Sequence, residues 1–379
     1  MLKLFKSITH EEIYNKKPKK TSKETYMKKF DERDTIFARM NYKEGSKIYK
    51  DYYSNNPDLK EVDDSLRSLP PMGGEGSVMF NNINSPMVDA SFKYLYDIRN
   101  FSKGQVAQNK THVDPLVMTE RIKGLATFYG AKLVGITEMR DYHFYSHRGR
   151  HEENYGEEII EKHKYGIVFA LPMDSEMIMR APKLPESIAV SKGYVESATV
   201  GMILSYYIRE LGYDARNHMD GNYLVIAPLV ARDAGLGEFG RNGLLITKEY
   251  GSCIRLGIVT TDMPIIPDVR EDFGVKEFCL DCGRCCTTCP GKAISKKSMA
   301  EYEGILRWKI NAEECYRRWR SLGTDCGLCI ANCPFTYGIS KDLISNIKSS
   351  SEVRQNILKG FDEKYGIRPI IREEPEWLK

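Results

Sequence analysis

Nine of the ten cysteines lie between residues 279 and 333, and their spacing constrains this chain more than any other feature. The first run reads Cys279-x-x-Cys282-x-x-Cys285-x-x-x-Cys289-Pro290. A shorter echo reads Cys326-x-x-Cys329-x-x-x-Cys333-Pro334, with Cys315 eleven residues before Cys326. Closely spaced thiolates of this kind wrap three corners of an iron–sulfur cube, and the cysteine before proline reaches across to a second cube. The spacing therefore assigns Cys279, Cys282, Cys285 and Cys333 to one [4Fe–4S] cluster. Cys289, Cys315, Cys326 and Cys329 go to the other, with Cys315 filling a corner that the second run lacks. Structural zinc uses isolated cysteine pairs, and a disulfide framework belongs to small secreted chains. Cys286 is expected to pack beside cluster one as a bystander, and Cys253 to be a strand residue. Such a module moves electrons, and the rest of the chain must say where they go.

With 379 residues, of which 41% are hydrophobic and 28% charged, the chain has room for about two domains and a buried core. A net charge of +4 spread over that length, with no basic run interleaved with aromatics, does not suggest nucleic acid as a partner. Thiolates destined for iron require a reducing compartment, or loading before export. No stretch approaches eighteen consecutive apolar residues, so no transmembrane segment is expected. Met1–His10 has neither a signal-peptide core nor a twin arginine. The expected location is cytoplasmic, or that of an exported protein whose leader has been removed.

Four regions are expected along the chain. Residues 1–115 form an arm, rich in lysine at Lys16–Lys20, followed by segments wrapping a larger body. Residues 116–270 alternate helix and strand, as one α/β or α+β domain does. Met118–Tyr129 reads as a helix closed by Gly130, Lys132–Ile136 as a strand, and Tyr165–Leu171 as a buried strand stopped by Pro172. Ala189–Leu211 carries the strongest helical period, with Gly212 where a C-terminal glycine belongs. Short strands are expected at Tyr223–Pro228, Leu244–Thr247 and Cys253–Thr260. Residues 271–340 are the two-cluster domain, and a charged tail with Trp377 closes the chain at 341–379.

Between these strands lies the glycine-rich loop Ala234–Gly243, which lets backbone approach a flat ligand or merely turns tightly. Gly235-Leu-Gly237-Glu-Phe-Gly240 has the letters of a dinucleotide fingerprint but lacks the strand before it and the helix and acidic residue after it. A nicotinamide site is excluded on that ground. His143, His147 and His151 are four apart, the spacing of a zinc pair on a helix. Their setting in Arg140–Tyr155, dense in charge and broken by Gly149, reads instead as a loop lining a pocket.

The loop Ala234-Gly-Leu-Gly-Glu-Phe-Gly-Arg241, followed by Glu249-Tyr-Gly251, Arg255, Thr261-Asp-Met-Pro264 and the cysteine runs, resembles the corrinoid-dependent reductive dehalogenases. Phe30-Asp-Glu-Arg-Asp-Thr-Ile-Phe-Ala-Arg39 and Ile208-Arg-Glu-Leu-Gly-Tyr213 extend the resemblance over residues 30–340. Epoxyqueuosine reductases share the Ala-Gly-Leu-Gly loop, the Thr-Asp-x-Pro turn and both cysteine motifs. Their loop usually continues Gly-Trp-x-Gly-Lys, where this chain has Gly-Glu-Phe-Gly-Arg. The resemblance implies a nitroreductase-like cobalamin-binding core with a C-terminal bacterial ferredoxin-like domain holding two [4Fe–4S] clusters. It implies a base-off corrinoid; the Asp-x-His-x-x-Gly signature of other corrinoid proteins is broken at Asp141-Tyr-His143-Phe-Tyr-Ser146, and the family resembled does without it. By the same likeness Gly235, Leu236, Gly237, Glu238 and Arg241 would contact that cofactor.

Removing halide reductively from carbon needs two electrons and a proton. The resemblance places the proton donor at Tyr194, assisted by Arg255, with Asn222 completing the polar set and Arg241 as the competing cation. Tyrosine ordinarily titrates near 10, so a neighbouring cation must stabilise the phenolate. The implied partners are a small organohalide and a low-potential donor such as a ferredoxin or flavodoxin. Two other readings stand beside this one: an epoxyqueuosine-reductase-like enzyme acting on tRNA with the same cofactors, and a non-catalytic iron–sulfur electron carrier.

Overall fold

In the computed structural model, which describes residues 29–160, 162–302 and 305–379, the apolar run at Tyr165 becomes the middle of a sheet. Strands β1 (Leu133–Glu138), β2 (Tyr165–Pro172), β3 (Ala215–His218) and β4 (Ile254–Thr261) pair in the order β1-β2-β4-β3. Every pairing is antiparallel, with Ile167 opposite Val259 and Val168 opposite Ile258. Both faces of β2 are covered, which is why its sequence is uninterrupted apolar rather than alternating. Ile167, Phe169 and Leu171 pack on one side with Ile122, Leu204 and Ile208. Val168 and Ala170 pack on the other with Val230, Leu236 and Ile258. Gly257 leaves its place to the Phe169 ring, which lies 2.2 Å from where a Cβ would be.

The helices on the first face are α1 (Pro115–Phe128) and α2 (Leu184–Glu210), and α3 (Ala227–Asp233) lies on the second. Helix α2 has 27 residues and starts five residues before the position its period suggests, with Pro185 in the first turn, where no donor is needed. It closes at Gly212, whose φ is +83°. Along it, Gly201 admits the buried Asn217 of β3, whose Oδ1 would stand 2.0 Å from an added Cβ.

One local expectation fails, and one strand was not expected. Tyr223–Pro228 is not a strand: Val225 makes one bridge to Phe144, and then α3 begins with Pro228 in its first turn. Strand β3 escapes its sequence because Ala-Arg-Asn-His looks like loop, yet all four residues are buried. Its polar side chains find internal partners, His218 Nε2 facing Thr260 Oγ1 at 2.9 Å, Arg216 donating to Asn222 Oδ1 at 2.7 Å and Asn217 Nδ2 donating to Ala198 O at 3.2 Å.

Residues 1–28, including the lysine-rich arm, lie outside the described residues. The stretch after them is helical. Ile36–Asn41, Lys47–Asn55 and Pro57–Arg67 gather Ala38, Tyr42, Tyr49, Tyr52 and Tyr53 into a small core. Ser85–Ile98 packs Phe92 against Tyr194 of α2.

The cysteine region is built from short helices: α4 (Val275–Cys282), α5 (Arg284–Thr288), α6 (Ala312–Leu322) and α7 (Leu328–Ala331), with α8 (Ser351–Tyr365) outside them. Gly283 and Gly327, at φ +60° and +58°, turn the chain into α5 and α7 so that successive cysteines face inward. Among the described residues no helix is long and apolar enough to cross a membrane.

Candidate dicluster centre and catalytic cleft

Cys279, Cys282, Cys285 and Cys333 line a single hollow, whose wall Phe278, Phe335 and Arg241 complete. Burial and neighbouring thiols push Cys279 up to about 12 and Cys282 to about 11. Cys333 is raised by burial and then by Cys279, Cys282 and Cys285, so it belongs to their neighbourhood and not to that of its own run. The remaining thiols gather separately. Burial first, then Cys326 and Cys289, push Cys315 up to about 11, and Cys329 feels Cys285, Cys315, Cys326 and Cys289. Thiols this crowded become anions only beside positive charge, which iron supplies. Among the described residues no three ligating side chains converge as they do around a single metal ion. Cys286 is buried with its thiol on Gly283 O at 3.0 Å, and Cys253 sits just before β4 beside Met173 O.

A second centre opens between α2, the start of β4 and α7. Arg255 follows Ile254 into β4, opposite Leu171. Its Cβ lies 3.1 Å from the space above Gly193, so a larger residue there would hold it away. The Arg255 guanidinium carbon rests 4.1 Å from the centroid of the next side chain on α2, Tyr194. One terminal nitrogen meets Met173 Sδ at 3.4 Å, while Nε has no hydrogen-bond partner. Burial raises the Tyr194 phenol, and Arg255 and Arg150 pull it back.

Around this pair stand Tyr223, Arg150, Asp220, Asp325 and Glu186. Arg150 and Asp220 are 3.5 Å apart. Burial pushes Asp325 up to about 6 against the pull of Arg255. Glu186, wholly enclosed in the first turn of α2, is raised by burial and then by Asp325, and its Oε1 has no hydrogen-bond partner. Tyr194, Tyr223, Arg150, Arg255 and Asp325 each retain open surface although burial dominates their ionisation. Surrounding protein thus governs their ionisation although part of each side chain stays open.

Asn222 is placed beside this cleft but its amide is fully engaged. Its Oδ1 accepts from Arg216 at 2.7 Å and Arg148 at 3.3 Å, and its Nδ2 donates to Arg99 O at 3.0 Å. Its neighbour Tyr223 is the residue that feels Tyr194 and Arg255. Arg150 falls in Arg140–Tyr155, the stretch expected to line a pocket, but nothing in the sequence marks Tyr223, Asp220 or Glu186; Asp325 adjoins Cys326.

The glycine loop borders a separate, polar hollow that includes Gly235, Leu236, Lys248 and Asp268. Gly237 is pressed to Ile246 O, 2.2 Å from an added Cβ. Glu238 accepts from Phe273 N and Val275 N, both at 3.2 Å. Arg241 donates to Cys279 O and Ser295 O, both at 3.1 Å, and to Lys297 O at 3.2 Å. The polar groups of Glu238 and Arg241 thus tie the loop to the cysteine region. The histidines share no helix: His143 faces Asp233 at 2.9 Å, His147 lies in a bridge to Glu158, and His151 meets Gly221 O at 2.6 Å.

This architecture is an α+β core joined to an iron–sulfur module, and residues 278–337 match the family model of the 4Fe-4S dicluster domain. The chain is 34% identical over 226 residues to the tetrachloroethene reductive dehalogenase of Desulfitobacterium hafniense, covering 56% of this chain and 41% of that one. It shares the fold of the catabolic reductive dehalogenase NpRdhA, with a TM-score of 0.73 at 22% identity over 90% of this chain and 47% of the other. The epoxyqueuosine reductase of Lactococcus garvieae is 34% identical over 127 residues, covering 32% of this chain and 35% of that enzyme. The chain is thus similar to the reductive dehalogenases, with epoxyqueuosine reductases as more distant relatives, and the matches span about half the length of the dehalogenases.

Proposed function

We propose that this chain is an iron–sulfur oxidoreductase that reductively dehalogenates a small organohalide, R–X + 2 e⁻ + H⁺ → R–H + X⁻. The observation that carries the reading is the Arg255 guanidinium over the partly buried Tyr194 ring at 4.1 Å, with Tyr194 and Cys326 packed against the same small core. When bound, the two clusters would supply electrons singly and a base-off corrinoid would supply the two-electron reductant that breaks the carbon–halogen bond. The cleft fits such a group. Its wall offers the unpartnered Nε atoms of Arg150 and Arg255 to a polar rim, and phenol rings to a flat face.

Tyr194 holds the proton at its phenol oxygen and releases it to the carbon losing halide. Arg255 stabilises the phenolate left behind, and Arg150 adds a second cation from the far wall. Asn222 fixes the Gly221–Tyr223 turn by gripping Arg148, Arg216 and the Arg99 carbonyl, so Tyr223 keeps its aim. Asp325 and Glu186 connect Arg255 to the loop carrying Cys326. The electrons are expected from a low-potential ferredoxin or flavodoxin.

Anaerobic reconstitution with iron, sulfide and a corrinoid, followed by assay on a halogenated phenol, an alkyl halide and a queuosine-precursor tRNA, tests the reading. Halide release is expected from one of the first two. Failure to take up corrinoid, or turnover of the tRNA alone, would overturn it. Tyr194→Phe should abolish turnover with cluster and corrinoid spectra intact, and retained activity would remove Tyr194 from its role.

A further inference from the structure

Arg241 was expected at a corrinoid, but its surroundings tell of a different task. The side chain is 6% exposed, and among the described residues its hydrogen-bond acceptors are three backbone carbonyls, Cys279 O, Ser295 O and Lys297 O. The guanidinium carbon lies 4.9 Å over the Trp308 ring, which is itself buried. A full positive charge so enclosed calls for an anion. The hollow that Arg241 lines is the one formed by Cys279, Cys282, Cys285 and Cys333. Four thiolates around a [4Fe–4S] cube make a net anion, and that unit is the missing partner.

Arg284, on the rim of the same hollow, is paired with Asp362 and donates to the carbonyls of Gly366 and Ile367. Glu238, on the same loop as Arg241, is turned to the amides of Phe273 and Val275. The second group of cysteines has a different environment: the fully buried Glu186 presses against Gly327, its Oε1 2.4 Å from where a Cβ would be, next to Cys326.

We propose that Arg241 raises the reduction potential of cluster one by placing an enclosed cation against its ligands. Each electron arriving at cluster one adds negative charge beside that cation, so reduction is favoured there. At the second group Glu186 and Arg318 act on Cys326 in opposite senses, so its charge balance is set by side chains other than Arg241. The inference rests on residues 278–337 holding two clusters, and not on which substrate the cleft accepts.

The test is a potentiometric titration of the whole chain, reconstituted with iron and sulfide and followed by electron paramagnetic resonance. Cluster one is identified as the signal that survives Cys315→Ala. Arg241→Gln keeps donor groups and removes the charge, and should make one-electron reduction of cluster one about tenfold less favourable, a shift of about 59 mV to negative potential. Cluster two should not move. Arg241→Lys keeps the charge and should stay within about threefold of the wild-type equilibrium, on the same scale. Three results overturn the proposal: an Arg241→Gln protein with full iron titrating as wild type, both clusters shifting alike, or Arg241→Lys moving as far as Arg241→Gln. Loss of cluster-one iron in Arg241→Gln also overturns it, since the side chain would then be a tie and no more. The titration contains neither corrinoid nor organohalide, so its outcome is independent of the reading of the cleft.

Discussion

Replacing Arg255 with methionine keeps most of the volume beside Tyr194 and removes the charge. The guanidinium carbon is 4.1 Å from the Tyr194 ring centroid. When the phenol has given up its proton, a unit negative charge stands beside a unit positive one. Charges about 4 Å apart at an effective dielectric near 20 attract by about 4 kcal/mol. Both side chains keep part of their surface open to the cleft, and Arg150 supplies a second cation. About half of the attraction, roughly 2 kcal/mol, is therefore the expected loss, which corresponds to about 30-fold in rate.

The assay is steady-state dehalogenation with excess chemical reductant, corrinoid and iron contents being matched between proteins. Because the interaction gains its strength only as charge develops, kcat should fall while KM stays nearly constant. Arg255→Lys should recover part of the rate, since it restores charge but not the flat guanidinium over the ring. A rise in KM at unchanged kcat would refute the reasoning and make Arg255 a substrate-binding residue. A thermal melt accompanies the assay, because Glu186 and Asp325 lose the cation that opposes their burial.

Two further outcomes probe the scaffold. Gly201→Ala should destabilise the fold by about 2–4 kcal/mol, because its Cβ would fall 2.0 Å from Asn217 Oδ1 in a fully buried contact; an unchanged melting temperature would mean that α2 and β3 part freely. Glu238→Ala removes the acceptor for Phe273 N and Val275 N ahead of α4, at about 1–2 kcal/mol. Iron at cluster one should then be retained less well while corrinoid affinity is unchanged, and the opposite pattern would return Glu238 to the corrinoid.

What was legible in the sequence differs with how far apart the cooperating residues lie. The cysteine runs are local, so spacing alone announces an iron–sulfur module. The buried strand at Tyr165 and the helix ended by Gly212 follow likewise from short-range period and a glycine at positive φ. Tyr194 and Arg255 came to notice only through resemblance, because nothing about one tyrosine on a helix and one arginine on a strand announces their 4.1 Å approach. Tyr223 and Asp220, Asp325 and Glu186 arrive from separate segments and carry no mark of their own, while Arg150 is announced only as part of the charged loop Arg140–Tyr155. Strand β3 was hidden for a related reason: Arg216, Asn217 and His218 are polar in sequence, but partners distant along the chain let them be buried.

The helices between Ile36 and Arg67 and the turns that follow them bear on α6, the helix that carries Cys315. Arg320 of α6 donates to Pro70 O at 2.6 Å and Arg317 to Ser65 Oγ at 3.2 Å, while Arg39 pairs with Glu313. At the helix end, Met79 N reaches Leu322 O at 2.9 Å and Gly73 N reaches Gly323 O at 3.1 Å. This region acts as a splint for a helix that sits more than two hundred residues further along the chain. A chain trimmed to begin after Met79 would keep every cysteine and every side chain of the cleft, yet lose the support of Cys315, the assigned ligand that stands outside both short runs.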